Sequence, residues 1–415
     1  MARVGSERAG ATETPAGTPP PSLDPAGGAP TPSTVPPAPD LLHGGLLYRV
    51  MSRFGVEPED ARRAARRGAL AGAVLWTPMA IAALVEGHAL PGQVKVPFFL
   101  DVAAYVRPIV VIPLLLASEA ILGASWRETG RLFHRRGLVA ECDAAYDALV
   151  ERITRAVRRT LPELLCLVVA GVLTWRLVTT VLSAPRDAWF AVTRDGVTRL
   201  TIAGAWAGFV VHATLFYLTV RWLWLLSLWY RFLLGTARLR LHLLPTHPDK
   251  AAGLGFVGRT VSAASPLVFA WSAAMAATVA NQILHGGAHL AEFAPVGIVM
   301  AVVVVVLFVL PPAVVFLPLL VRTRRLALED WSHRMGAAPE DGPEPAAKPA
   351  ATSISVSSLQ DVEVAVNAVR GILPVPLSIA HALAPIVALA LPAIPLLFLA
   401  FPASEIFDQV KRLLF

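Results

Sequence analysis

Charge is scarce in this chain. Acidic and basic residues make up 16% of its 415 positions, against about 25% in soluble domains. The deficit falls in runs of roughly 20 apolar residues, long enough to cross a ~30 Å hydrocarbon core. An ordinary soluble enzyme with buried helices is thereby excluded. Cysteine is almost missing as well. Cys142 and Cys166 cannot build a disulfide framework and read as packing residues, one in a polar helix and one in a span. HExxH and CxxC spacings are absent, and no P-loop or Ser-His-Asp order can be argued. Residues 1–42 hold no apolar segment of signal-peptide length. They are rich in Pro, Ala, Gly, Thr and Ser, a composition that cannot bury a core, and they read as a disordered tether. The net charge of +7 does not call for nucleic acid, because the basic residues flank spans, where membrane orientation and anionic lipid account for them.

What is present is an all-α polytopic membrane bundle of six full spans and a proline-broken seventh element. The spans are predicted near 68–85, 98–123, 162–182, 200–225, 263–284 and 295–321. A basic lead-in, 41–67, precedes the first. The polar stretch 124–160 places Leu138, Cys142, Tyr146, Leu149, Ile153 and Val157 at helical spacing. It is predicted as a helix or helical hairpin lying on the bundle or on a partner. Pro311 and Pro312 should kink the sixth span. Trp222, Trp224, Trp229 and Tyr230, beside Arg221 and Arg231, read as an interfacial aromatic belt. The bundle thus covers 43–321 with its insertion 124–160 and a polar loop 235–262. A linker follows at 322–357. The remainder, 358–415, holds a capped helix, a segment 372–401 broken by five prolines, and an interfacial amphipathic helix. Segment 372–401 is predicted either to cross once or to re-enter.

Lys and Arg counts set an orientation. Segments 61–67, 124–160 and 235–262 hold four, eight and four; loops 87–97, 184–199 and 285–294 hold one, three and none. The positive-inside rule then predicts a cytoplasmic N-terminus. Lys411 and Arg412 disagree if the last segment crosses, which leans toward re-entry.

One compact polar cluster stands out, Pro245-Thr-His-Pro-Asp-Lys-Ala-Ala-Gly-Leu-Gly-Phe-Val-Gly258. Gly253, Gly255 and Gly258 spell GxGxxG, but the dinucleotide fingerprint needs a preceding strand and a βαβ unit, and neither is predicted. What remains is a Gly-rich turn into a helix N-terminus, which presents N–H groups to an anion. A phosphate, a lipid headgroup or an acidic side chain would each fit. Thr246, His247, Asp249, Lys250, Gly253 and Gly255 are the candidate residues, for an anion or for a metal. His247 and Asp249 supply two metal ligands where zinc usually takes three or four. A rigid structural corner between spans is the plainer reading.

Ionisable residues inside spans are expensive. Asp101, Arg107, Glu119, Arg176 and His212 are candidates for an intramembrane polar site, with Arg221 and His381 beside them. They read either as structural pairs and snorkelling side chains near span ends or as an ion path. Arg176 is one conceivable partner for Glu119 or Asp101.

The run Arg238-Leu-Arg-Leu-His-Leu-Leu-Pro-Thr-His-Pro-Asp-Lys-Ala-Ala-Gly-Leu-Gly-Phe256 resembles a signature of uncharacterised bacterial multi-pass inner-membrane proteins. Two further pieces are similar: Val96-Pro-Phe-Phe-Leu-Asp101 through Glu119, and Ser358-Leu-Gln-Asp361 through the proline-rich segment. Ala252 stands where that family commonly has Gly, which tells against a strict four-glycine nest. The resemblance implies a bacterial inner membrane and the same architecture, and no activity.

Three classes of function follow. Proline-broken helices and intramembrane charge point to a channel or transporter of a small ion or solute, although no inverted repeat is evident. The tail, polar helix and linker would suit a membrane scaffold or sensor. His247 and Asp249 would suit a membrane enzyme. No cofactor is specified. The bilayer, with anionic lipid at the cytoplasmic face, is the expected partner, and a second copy or another protein is left open.

Overall fold

The computed structural model describes residues 38–39, 41, 61–336, 364 and 366–400. The N-terminal tail, most of the 322–357 linker, the start of the capped helix and the C-terminal amphipathic helix lie outside them.

Among the described residues, seven helices are long and apolar enough to cross a membrane. They are α1 (Ala61–Val85), α2 (Val102–Arg135), α4 (Thr160–Leu182), α5 (Ile202–Ala237), α6 (Gly255–Gly286), α7 (Leu290–Asp330) and α8 (Ile379–Leu399). The polar α3 (Asp143–Arg158) joins α2 to α4. The outer surface is oily: Leu164, Val168, Val172 and Trp175 of α4 and Ile298, Val299 and Val302 of α7 are exposed. A soluble bundle would hide such a stripe. The chain is an all-α polytopic membrane bundle.

Successive spans run antiparallel, so two faces can be named by what they carry. The 245–258 loop, the α2–α3 turn and α3 form one, the polar-loop face. The other is the strand face, where residues 86–101 and 183–201 meet. The α8 helix starts with His381 against Gly258 and reaches Val279 and Phe293 with Leu396. It therefore follows α6 from one face toward the other, as a single crossing with a 3-10 turn at Leu391–Ala393. A re-entrant hairpin is not what this segment forms. Pro385 and Pro392 are accommodated in it without reversing the chain.

Several helices outrun their hydrophobic stretches. The α2, α5, α6 and α7 helices have 34, 36, 32 and 41 residues, and 34 residues already measure ~51 Å at about 1.5 Å each. Hydropathy ends the second span at 123, but nothing in the sequence stops the helix there. It stops at Gly137, whose φ of 65° supplies the left-handed residue of a Schellman cap. Gly137 N–H donates to His134 O at 2.8 Å and Leu138 N–H to Phe133 O at 3.1 Å.

The same extension corrects the aromatic belt. Because α5 continues to Ala237, Trp222 and Trp229 lie along its middle. They are 0% and 2% exposed. Trp229 stacks on Trp126 of α2 with centroids 5.3 Å apart, and Trp222 meets Trp126 edge-on. Phe133, Tyr146, Phe232, Phe256 and Phe316 continue this aromatic core toward the polar-loop face. The α3 helix buries Tyr146, Leu149, Val150, Ile153 and Val157, and Tyr146 donates to Gly130 O at 2.7 Å.

On the strand face, the expected loop is a small antiparallel sheet. It comprises β1 (Asp187–Ala188), β2 (Ala191–Arg194) and β3 (Val197–Leu200). Asp195 and Gly196 turn it with φ of 51° and 76°, the backbone of a type I′ hairpin. Val96 pairs with it through Trp189 N–H at 2.9 Å. Glu86, just past α1, accepts from the N–H groups of Ile202 and Ala203 at the start of α5, at 2.7 and 3.2 Å. A carboxylate there complements the helix dipole.

Two close approaches differ in what gives way. A Cβ on Gly204 would sit 1.8 Å from Phe190 O, a backbone atom; one on Gly235 would meet Leu149 side-chain carbons at 2.6 Å. We predict that Gly204→Ala destabilises by about 1–3 kcal/mol or more. Gly235→Ala should cost less, because Leu149 can shift and alanine favours helix by ~1 kcal/mol. Thermal melts in detergent test the order, and a wild-type midpoint for Gly204→Ala would contradict it.

Candidate functional site

Near the strand face, α1, α2, α4, α5 and α6 enclose a cavity of about 540 Å³. Its inner charged groups come from α2 and its N-cap, and the exposed Arg186 stands at the rim. Asp101 is the N-cap of that helix, with its carboxylate accepting Ala104 N–H at 2.9 Å. Two donors from distant segments complete it, Trp189 Nε1 at 2.8 Å and Asn281 Nδ2 at 2.6 Å. Asn281 also accepts Val102 N–H at 2.9 Å through its oxygen. Asp101 is thus buried and used up by structure.

Arg107 is placed differently. It lies in a π-helical turn, Val106–Val111, where Pro108 cannot donate a backbone hydrogen bond. Its Nη1 lies 3.0 Å from His212 Nε2 and its Nη2 donates to Thr278 Oγ1 at 3.0 Å. His212 sits at the end of a second π turn, Ala207–His212, with Nδ1 2.7 Å from Ala207 O. These partners fix the tautomer. A carbonyl only accepts, so Nδ1 carries the hydrogen; a guanidinium only donates, so Nε2 is bare. Among the described residues, Arg107 bonds to neutral side chains and to no carboxylate. The opposite wall is apolar, with Leu177, Val178 and Val181 of α4 and Met79 of α1. The rim holds His285, whose Nε2 is 3.0 Å from Leu100 O, together with the exposed Arg186 and Gln282.

A second polar cluster is separate and buried. Arg221 of α5 pairs with Glu119 of α2 and lies 3.7 Å from Glu163 of α4. Tyr217 donates to Glu163 at 3.0 Å. Arg221 is 4% exposed, and both carboxylates are buried. Removing one member of such a group typically costs 3–5 kcal/mol, because the rest remains buried and charged. Glu119 therefore pairs with Arg221, not with Arg176, which is exposed on α4. Arg107, Glu119 and Arg176 share no cavity. Glu163 escaped the sequence reading because it falls in the first turn of a span, where a carboxylate looks like a dipole partner. His381 accompanies the Ser378 cap of α8, 3.0 Å from its hydroxyl.

The 245–258 loop does gather backbone N–H groups, and its own Asp249 occupies them. The N–H groups of Ala251, Gly253 and Gly255 donate to the Asp249 carboxylate at 2.9, 3.0 and 2.9 Å. His247 Nδ1 lies 3.0 Å from Asp249 Oδ1. Arg136 lies 3.5 Å from Oδ2, donates to Gly253 O at 2.9 Å and stacks over Phe256. Lys250 and Ala252 hold left-handed backbone, with φ of 53° and 51°. The side chains of Thr246 and Lys250 are exposed, and Lys250 O accepts Leu373 N–H at 2.8 Å. Among the described residues no cluster of three or more His, Cys, Asp or Glu could hold a metal, so His247 and Asp249 gain no third ligand.

Compared with protein-family models, curated proteins and solved structures, the chain gives no match.

Burial alone would raise the Asp249 carboxyl, but the three backbone donors, and after them His247, outweigh it and hold the group below its ordinary range. A depressed carboxylate contributes stability above its unfolded pKa, about 3.9, and loses it as pH falls through the folded value. We predict that Asp249→Ala destabilises by about 1–3 kcal/mol at neutral pH, by stranding the N–H groups, and that trypsin then cuts faster after Lys250. The difference from wild type should shrink below about pH 4. Equal melting midpoints at pH 7 would contradict this role.

Proposed function

We propose that this multi-pass membrane protein carries a small solute across the bilayer, with the Arg107–His212 cavity as its binding stage. One observation carries the reading: a largely apolar cavity holding a charge and a histidine lies among apolar spans, and the two helices supplying that charge and histidine are both interrupted by π turns. Intramembrane charge facing a cavity is a functional signature, irregular helix at membrane depth belongs where it lines a cavity, and π turns recur at functional sites. The scaffold and enzyme readings have less support. The α3 helix spends its apolar face on the bundle, and Asp249 is spent on its own loop.

The experiment is uptake into liposomes reconstituted with the full chain, over a panel of chloride, phosphate, potassium, glycine, lactate and benzoate. We expect saturable uptake of at least one, reduced tenfold or more by Arg107→Gln and unchanged by Lys250→Ala. Uptake at the protein-free level for every solute would remove the transport reading.

We further propose, on the Lys and Arg bias, that the polar-loop face is cytoplasmic and the cavity rim faces outward. In a Cys142→Ser background, a membrane-impermeant maleimide added to intact cells should label Gln282→Cys and leave Lys250→Cys unlabelled. The reverse pattern would invert the orientation.

A further inference from the structure

We infer that the cavity binds an organic carboxylate, with Arg107 taking the carboxylate and the α4 wall taking an apolar body. This rests on reading the cavity as a solute site, and it names the chemical class. A guanidinium inside a membrane bundle needs a counter-charge. Arg221 and Arg107 differ in how they obtain it. Arg221 has Glu119 and Glu163. Arg107 has His212 Nε2 and Thr278 Oγ1, both neutral. The carboxylate in the same cavity, Asp101, is directed to Ala104, Trp189 and Asn281. Among the described residues no carboxylate is in direct contact with the Arg107 fork, and that place is left for a ligand.

The surroundings narrow what that ligand is. His212 and Thr278 each hold one terminal nitrogen of Arg107, which fixes the plane of the fork while leaving N–H groups over. A fixed planar fork suits a carboxylate, which it can bind through two parallel hydrogen bonds. A halide would need neither the volume nor the opposite wall. Leu177, Val178 and Val181 make that wall apolar, so the rest of the ligand is hydrocarbon or aromatic. The amides of Asn281 and Gln282 lie toward the rim, together with the exposed guanidinium of Arg186.

Such a molecule could arrive from water as a short acid or from the bilayer as a fatty acid, and the test separates the two. Isothermal titration of the full chain in nanodiscs would use benzoate and butyrate for the first source and decanoate for the second. Benzamide, butyramide and butylammonium serve as matched controls. We expect stoichiometric, saturable binding of at least one acid and at least tenfold weaker binding of its amide. Arg107→Lys should weaken the acid about tenfold by losing the fork, and Arg107→Gln should abolish it. Both variants should keep the wild-type melting midpoint and Lys250→Ala should keep wild-type affinity. A preference for decanoate assigns the bilayer as source, and a preference for benzoate or butyrate assigns water. Amides binding as well as acids, butylammonium binding instead, or full affinity in Arg107→Gln would each overturn the inference. Acid binding without uptake of any solute would keep the site and remove transport. Uptake of a cation without acid binding would do the opposite.

Discussion

A backbone carbonyl released inside an apolar bundle must find another donor, because no water is there to take it. Two carbonyls within the π turns take side-chain donors, and that of Leu307 precedes Pro311 and Pro312 by four and five residues, neither of which has an N–H to offer. Ala207 O takes the Nδ1 hydrogen of His212, and Leu307 O takes the hydroxyl of Tyr230. The first of these bonds organises the cavity. It fixes the histidine tautomer, the tautomer makes Nε2 an acceptor, and that acceptor holds one arm of Arg107. A main-chain irregularity in α5 thereby sets the direction of a charge on α2. The second bond serves packing, tying α7 to α5.

The bundle treats its buried charges in two ways. Around Arg221, three helices contribute groups of opposite sign, and the cluster closes on itself. Around Arg107, the acidic neighbour is diverted to a helix cap and two donors, and among the described residues only neutral groups hydrogen-bond to the cation. The contrast lies within one molecule, between a buried arginine and a partly buried one that lines a cavity. The 245–258 loop follows the closed pattern. Its turn does concentrate backbone donors as the glycine spacing implies, and the anion they receive is two residues away from His247 in the same chain.

Hydropathy made the spans legible because crossing a bilayer is a matter of length and polarity, both local in sequence. Helix ends were less legible. Gly137 stops α2 through a left-handed backbone angle, and a polar helix that continues past the bilayer leaves no hydropathy mark. That misplacement turned Trp222 and Trp229 into an apparent belt. The small sheet did have a local signal, Asp195-Gly196 between alternating Val and Thr, but its strands are four residues long or shorter. The site was legible one residue at a time. Asp101, Arg107, Glu119 and His212 stood out as costly groups in apolar runs. Their partners did not, because Arg107 meets His212 and Thr278 across 105 and 171 positions, and no spacing rule reaches that far. Asn281, Thr278 and Trp189 are ordinary residues until the fold brings them to a charge.

The strand cap holds a consequence for access to the cavity. Phe190 O rests on Gly204 with no room between them, Thr201 Oγ1 donates to Trp189 O at 2.7 Å, and Glu86 clasps the first turn of α5. Trp189 in turn is bonded to Asp101 at the head of α2. The cap is riveted to three helix ends at once, so it is a fixed collar and cannot swing as a lid. The width of the entrance is then set by how far those helix ends stand apart. The places where α2 and α5 can flex without breaking the collar are their π turns, which are also where Arg107 and His212 are mounted.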